Sequence, residues 1–395
     1  MTRRDVWALG LGQCVAWGVL YYAFSVLIVP VERDLGTARW VVVGAFSLAL
    51  LVSAAASPRV GMLVDRGHGP FVVKAGGLTA AGLLAMWALL PSIALSYVIW
   101  AALGLCMAAV LYEPIFAIVG KAIEHAGDRL RSIATITVFG GFASTVFLPL
   151  TGALVERLGW RGAVGVLAAL LAITTVAVHR FAFSRPAVAR SAMAGKQASD
   201  SRQEVPSRQA MLSRPWLLTS VFTCSSFVSA ALATNLVPAL IDRHLPATTA
   251  ALFASLFGIM QLPGRLLFMR ERTVTPRMLI LSSLGLQVVG LVVLAASPAL
   301  TAVAIGVGLF ACGSGLATLA RPYLVLVMYG SEHAGYINGF TARGQQLARA
   351  GGPVAAAALA GVVGYGWVFA ALALLVLAAV GITARGDALN TPKVP

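Results

Sequence analysis

Charge is scarce in this chain of 395 residues: only 11% are Asp, Glu, Lys or Arg, where a water-soluble domain carries about a quarter. Acidic residues are scarcer still, 14 against 29 basic ones, giving a formal charge of +15. So few ionised groups cannot keep a surface in water, which excludes a soluble fold. Cysteine is rare too. Cys14, Cys106, Cys224 and Cys312 all lie inside apolar runs, where they read as small buried side chains, so no disulfide and no metal site is inferred. There is no phosphate-cradling glycine loop, no paired carboxylates and no metal-ligand cluster, so the chain is not expected to be an enzyme or to carry a cofactor. Gly10 to Gly12 form a Gly-x-Gly in a helix with no strand before it, which reads as close helix packing. Without a basic soluble domain, the positive charge does not point to nucleic acid.

What is present is hydrophobic residue, 59% of the total, in recurrent runs near the roughly 20 residues a helix needs to cross about 30 Å of hydrocarbon. Lipid offers a free backbone amide no partner and the runs lack strand alternation, so they are read as helices. Spans are expected at 6 to 29, 41 to 64, 70 to 91, 95 to 120, 132 to 154 and 160 to 181, then at 216 to 240, 250 to 269, 278 to 296, 300 to 329, 335 to 361 and 366 to 384. The first run has no small-residue cleavage site and reads as a retained helix. The expected organisation is an N-terminal six-helix bundle (1–181), a basic cytoplasmic linker (182–214) with Arg185, Arg190, Lys196, Arg202, Arg208 and Arg214, and a C-terminal six-helix bundle (215–395). With both termini cytoplasmic, twenty-one of the 29 Lys and Arg residues fall in or beside cytoplasmic segments. Arg33, Arg39, Arg157, Arg161 and Arg243 fall outside, and Arg321, Arg343 and Arg349 lie within spans.

The halves overlay at an offset of 208 residues: Leu27-Ile28-Val29-Pro30 faces Leu236-Val237-Pro238, Asp34 faces Asp242, and Leu111-Tyr112-Glu113-Pro114 faces Leu319-Ala320-Arg321-Pro322. With a small shift, Pro149 matches Pro353 and Gly159-Trp160 matches Gly366-Trp367. Several matches near one offset indicate a parallel duplication, six helices plus six, with a binding site expected where the repeats meet.

Gly61-Met62-Leu63-Val64-Asp65-Arg66, followed by Gly67 and Gly69, lies between the second and third spans. On this segment and the six-plus-six repeat, the chain resembles the major facilitator superfamily over essentially its whole length. The resemblance implies an all-α integral membrane fold of twelve transmembrane helices in two pseudo-two-fold-related halves, with Asp65 and Arg66 in a gating loop. The final glycine comes one residue late, Pro70 and Phe71 stand where a basic residue is usual, and Met269 to Arg277 holds no second copy. Gly258 to Arg265 is similar to the Gly-Arg segment of the monocarboxylate and oxalate/formate branch, which implies a carboxylate contact for Arg265; a membrane-surface anchor is the alternative.

A charge at the centre of a membrane helix costs about 2.5 to 3.5 kcal/mol, so it must face protein, water or an opposite charge. Glu113 lies eight residues before Lys121, and Arg321 takes the corresponding place in the other half. A two-fold axis would set them face to face, either as a gate or proton switch or as a permanent clamp. Arg343 shares a helix face with Gln346, whereas Arg349 points elsewhere and is open to snorkelling. If helices 1 and 7 face the cleft, as the resemblance implies, Trp17, Tyr21, Tyr22 and Asn235 are binding candidates, with interface or core packing as the alternative. His68, His125, His179, His244 and His333 all lie at ends or loops, which argues against a histidine relay.

One glutamate against two to four arginines leaves an electropositive cleft, and arginine's planar fork suits carboxylate or phosphate. The expected function is a secondary active transporter of a small organic anion, of the monocarboxylate class at its most specific, moved by alternating access with a proton taken up by Glu113. Its partners are that anion, the proton and the bilayer of a bacterial-type inner membrane, and it is expected to be a monomer. A multidrug or metabolite exporter and a non-transporting receptor on the same scaffold stand as alternatives. The orientation is directly testable: alkaline phosphatase inserted between the third and fourth spans should be active, and inserted near residue 195 inactive, with green fluorescent protein giving the reverse pattern.

Overall fold

The computed structural model describes residues 1–89, 92–123, 126–183, 215–263 and 276–385, and within these the side chains of Asp65, Arg321 and Arg343 lie outside the description. Nearly all described residues are helical. Ten helices are long and apolar enough to cross a membrane. One of them, Thr135–Phe183, has 49 residues, about 74 Å of helix, and breaks at Gly159 into two crossings. The shorter apolar helix Ala247–Pro263 supplies another, which brings the crossings to twelve.

In chain order the crossings are α1 (Arg3–Leu35), α2 (Arg39–Leu63), α3 (Gly69–Leu89) and α4, which comes in two pieces, Ile93–Val110 and Tyr112–Ala122. Next is α5, Ala126–Gly141 and on to the break, followed by α6 from 160 to 178. The second set is α7 (Pro215–Ile241), α8 (Ala247–Ile259), α9 (Pro276–Ala296), α10 (Leu300–Thr318), α11 (Gly344–Val363) and α12 (Tyr365–Arg385). Helical backbone continues through 330–334, where a short loop was expected, so α10 and α11 belong to one helical stretch and His333 sits in it. The chain forms two compact units: Met1–Gln203 with Leu245–Leu252, and Glu204–His244 with Phe253–Pro395. Nearly all of the basic linker falls at 184–214, outside the described residues.

In the first unit, α2 and α3 pack on α4, and α1 packs on α5. A chain of rings ties five helices together: Phe24 of α1 stacks on Phe46 of α2 at 4.5 Å, and both meet Trp100 of α4 edge-on. Trp100 meets Trp87 of α3 at 5.3 Å, and Trp87 meets Trp160 of α6 at 5.3 Å. Each such pair contributes about 0.5–1.5 kcal/mol beyond its burial. Trp87 donates its indole N–H to Ser96 Oγ at 2.9 Å, the partner a buried tryptophan needs. The Arg161 guanidinium lies 4.5 Å over the Trp160 ring and pairs with Asp34 at 2.8 Å, while Arg39 pairs with Glu32 at 2.7 Å. Two of the five basic residues expected on the sparse face are therefore neutralised locally.

The second unit uses hydroxyls and amides instead. Ser225 of α7 donates to Gln287 of α9, and Ser283 of α9 donates to the Gly313 carbonyl of α10. Gln345 of α11 donates to Ser226 Oγ of α7 at 2.8 Å, and Thr219 bonds Thr341 at 3.1 Å. Arginines close two helix ends, where the last carbonyls lack intrahelical donors: Arg243 donates to Leu294 O of α9 and Arg277 to Ala384 O of α12.

The duplication is written in the backbone. α1 ends on Gly36 in the left-handed region (φ 58), and 208 residues on His244 holds the same conformation (φ 64) after α7. The later break is displaced from the sequence match. Gly159 has φ 67 and ψ 171, and its counterpart is Gly364 (φ 81, ψ 161), not Gly366. Only glycine occupies that region without strain, so Trp160 aligns with Tyr365, both buried, and Trp367 is exposed. Gly159→Ala should lower stability by about 1–3 kcal/mol, whereas His244→Gly should raise it by about 1 kcal/mol; thermal melts in detergent read both.

Candidate functional site

Trp17, Tyr21, Tyr22, Arg66 and Glu113 lie in the first unit, where α1 and α4 both depart from regular helix. α1 passes through a π turn at Gly18–Tyr22, a distortion that inserts a residue and re-aims the side chains beyond it. At its start Gly18 lets α5 pack close, since any Cβ there would run into Phe147 of α5. Beside this turn Trp17, Tyr21 and Tyr22 are half-buried, with Trp17–Tyr21 at 5.4 Å and Tyr21–Tyr22 at 5.2 Å, both edge-on. Tyr21 also meets Phe46, and Trp17 meets Tyr112 of α4 at 4.9 Å, which in turn stacks on Phe116 at 5.0 Å.

The break in α4 has a covalent cause. Pro114 has no N–H, so the carbonyl four residues back, that of Val110, loses its helical donor. Leu111 turns extended (φ −73, ψ −162) and the helix restarts at Tyr112. Gln13 of α1, buried, reaches across and donates its Nε2–H to Val110 O at 2.7 Å. The break leaves Glu113 exposed in the first turn of the second piece, where the helix dipole favours a negative charge. The result is an aromatic wall of Trp17, Tyr21, Tyr22, Tyr112 and Phe116, with the exposed Glu113 next to Tyr112 in the chain, on helices that cross a membrane.

In the second unit, Pro322 does not break the helix, so the proline pair acts in one half only. Arg321 and Arg343 lie on helical backbone, with side chains outside the described residues, and Arg265 is outside them altogether. Gln346 and Arg349 are half-buried on α11. Asn235, a binding candidate from sequence, is buried in packing: its Nδ2 donates to Ala231 O at 2.9 Å and Pro353 O at 3.1 Å, and Tyr365 OH donates to its Oδ1 at 3.2 Å. Both amide hydrogens are engaged in joining α7, α11 and α12. In the loop after α2, Gly67 takes φ 88, Arg66 is exposed, and the Asp65 side chain is outside the described residues. All four cysteines are free, and no group of three or more metal-ligating side chains occurs among the described residues.

Two residues were passed over from sequence. Gln13 carried a signal, a lone amide inside an apolar run. Tyr112 stood in the quoted Leu-Tyr-Glu-Pro segment, but its contact with Trp17 depends on the π turn, which no sequence pattern announces.

A bundle of twelve apolar helices in two repeated units, broken by proline and π turns beside an exposed carboxylate, defines a membrane transporter. The Major Facilitator Superfamily family model matches residues 9–351, and the chain belongs to that superfamily. Among curated proteins, none matches the sequence. Among solved structures, the fold is similar to a bacterial homolog of the human lysosomal transporter Spinster in an inward-facing and occupied conformation, at TM-score 0.75 and 13% identity, covering 96% of this chain and 95% of that one. The same homolog, inward-facing and unoccupied, matches at TM-score 0.71 and 12% identity over 97% of each chain. Asn235→Ala should remove the hydrogen bonds to Tyr365 OH and the Pro353 carbonyl and destabilise by about 0.5–1.5 kcal/mol per lost bond, read as a lower melting temperature, with ligand affinity unchanged in the surviving folded fraction.

Proposed function

We propose that this protein is a secondary active transporter that carries a small organic anion across a bacterial inner membrane by alternating access, with Glu113 taking up the coupling proton. The observation that carries the reading is the balance of charge in and beside the apolar helices: Glu113 on α4 is set against Arg349 on α11 and against Arg321 and Arg343 on the helical stretch that joins α10 to α11. Such an excess of fixed positive charge in a medium less polar than water attracts an anion. Arg321 and Arg343 supply the bidentate charges, Arg265 and Gln346 contribute further contacts, and Tyr21 and Tyr22 offer ring faces and hydroxyls. An exposed carboxylate is free to exchange a proton, and its protonation would raise the net positive charge that holds the anion. Asp65 and Arg66 act as gating residues, both termini face the cytoplasm, and the working unit is a monomer.

One observation favours a second reading. Trp17, Tyr21 and Tyr112 form ring contacts, and the exposed Glu113 follows Tyr112 in the chain, a combination of groups that suits a cationic, hydrophobic compound through cation–π and ionic attraction. Exporters of such compounds need no arginine.

A thermal-shift screen of purified protein against small carboxylates, phosphorylated compounds and cationic drugs separates the two. Carboxylates should raise the melting temperature, and Arg321→Ala should weaken their binding by about tenfold or more, roughly 1.4 kcal/mol. Glu113→Gln should keep binding and lose the pH dependence of uptake in proteoliposomes. Stabilisation by cations alone, indifferent to Arg321→Ala, replaces this reading with the exporter. Binding without flux replaces it with a receptor.

A further inference from the structure

Gln13 holds the break in α4 with only one end of its amide. Its Nε2 donates to the Val110 carbonyl, and that bond fixes the orientation, because a carbonyl accepts only from the N–H₂ end. Oε1 therefore points away from Val110. It is fully buried, in a residue that is 2% exposed, and no protein group donates to it. Beside Gln13 lies a cavity of about 20 Å³, bounded by Val110 and Ile115 of α4 and by Leu171, Thr174 and Thr175 of α6. Thr175 gives its hydroxyl hydrogen to Leu171 O at 2.7 Å, so its Oγ1 offers lone pairs and nothing else.

The volume admits one water-sized guest, for which about 10–15 Å³ suffices. The chemistry specifies what that guest carries. The wall presents two acceptors, Gln13 Oε1 and Thr175 Oγ1, so the occupant must bring two hydrogens. We propose that this cavity is a built site for a single buried water, which donates one hydrogen to Gln13 Oε1 and the other to Thr175 Oγ1 and completes the hydrogen bonding that Pro114 disrupts. Gln13 and the water together form a latch between α1, α4 and α6 in the interior of the first unit. A sodium ion would be drawn to the same lone pairs, but Gln13, Thr174 and Thr175 are the only polar side chains in the lining and fall short of a cation's coordination shell.

X-ray radiolytic footprinting, which oxidises side chains touching bound water, tests the site on the full chain in nanodiscs. Ile115 and Leu171 are 1% and 2% exposed, and should be oxidised at least fivefold faster than Leu232, which is 0% exposed and away from the cavity. Gln13→Leu should bring them down to the Leu232 rate. Should Gln13→Leu fail to fold, Thr175→Val removes the second acceptor with little change of shape and should lower the labelling in the same way. The latch has its own test: Pro114→Ala restores an N–H for the Val110 carbonyl, so the drop in melting temperature caused by Gln13→Leu should shrink to half or less in that background. Labelling of Ile115 and Leu171 no faster than Leu232, or a sodium-dependent melting temperature lost in Gln13→Leu, overturns the water site. An equal drop in both backgrounds overturns the latch.

Discussion

Inside a bilayer a peptide group that leaves its helix finds no water to bond, and this single constraint governs how the chain departs from regular helix. Pro114 frees the Val110 carbonyl, and Gln13 answers it from a neighbouring helix. At the ends of α9 and α12, where every helix runs out of donors, Arg243 and Arg277 supply them. At each of these three places a polar side chain meets the carbonyl that the helix leaves free. Glu113, an exposed carboxylate within a span, sits where the helix has been made to break and been repaired.

The two units share a plan and differ in what binds them. Ring faces join the helices of the first, from Phe24 through Trp100 to Trp160. Serine, threonine and glutamine join those of the second, through Ser225, Gln287, Ser226 and Gln345. Both solutions are physically sound in lipid, where apolar contact between helices gains little over contact with acyl chains and packing or hydrogen bonds must do the joining. A duplicated backbone therefore constrains the sequence at its caps and breaks far more than along its interfaces. Left-handed residues recur at Gly36 and His244, and at Gly159 and Gly364, while the side chains that join the helices differ in kind.

Most of the architecture was legible in the sequence because hydropathy reports directly on the lipid environment. Twelve apolar runs became twelve crossings, with small differences such as the helical backbone that runs on through 330–334, where Gly330, Ser331 and Gly335 suggested a loop. The repeat was legible too, apart from the match at Gly366, which composition suggested and a positive φ moved to Gly364. The candidate site was less so. Glu113 and Pro114 announce a break, but Gln13's reach to Val110 and the π turn that brings Trp17 against Tyr112 depend on register between helices. Asn235 shows the converse: a polar residue in an apolar span looked available for a ligand, and the fold engages it with Ala231, Pro353 and Tyr365.

The breaks at Gly159 and Gly364 turn the chain with a single residue outside helical geometry, flanked at once by a buried aromatic, Trp160 or Tyr365. An antibody or a protease needs several extended residues to grip, and neither corner offers them. The segments around Gly36 and the end of α7 at His244, both longer and carrying charge, are where an epitope tag or a binding scaffold would find purchase without prying helices apart.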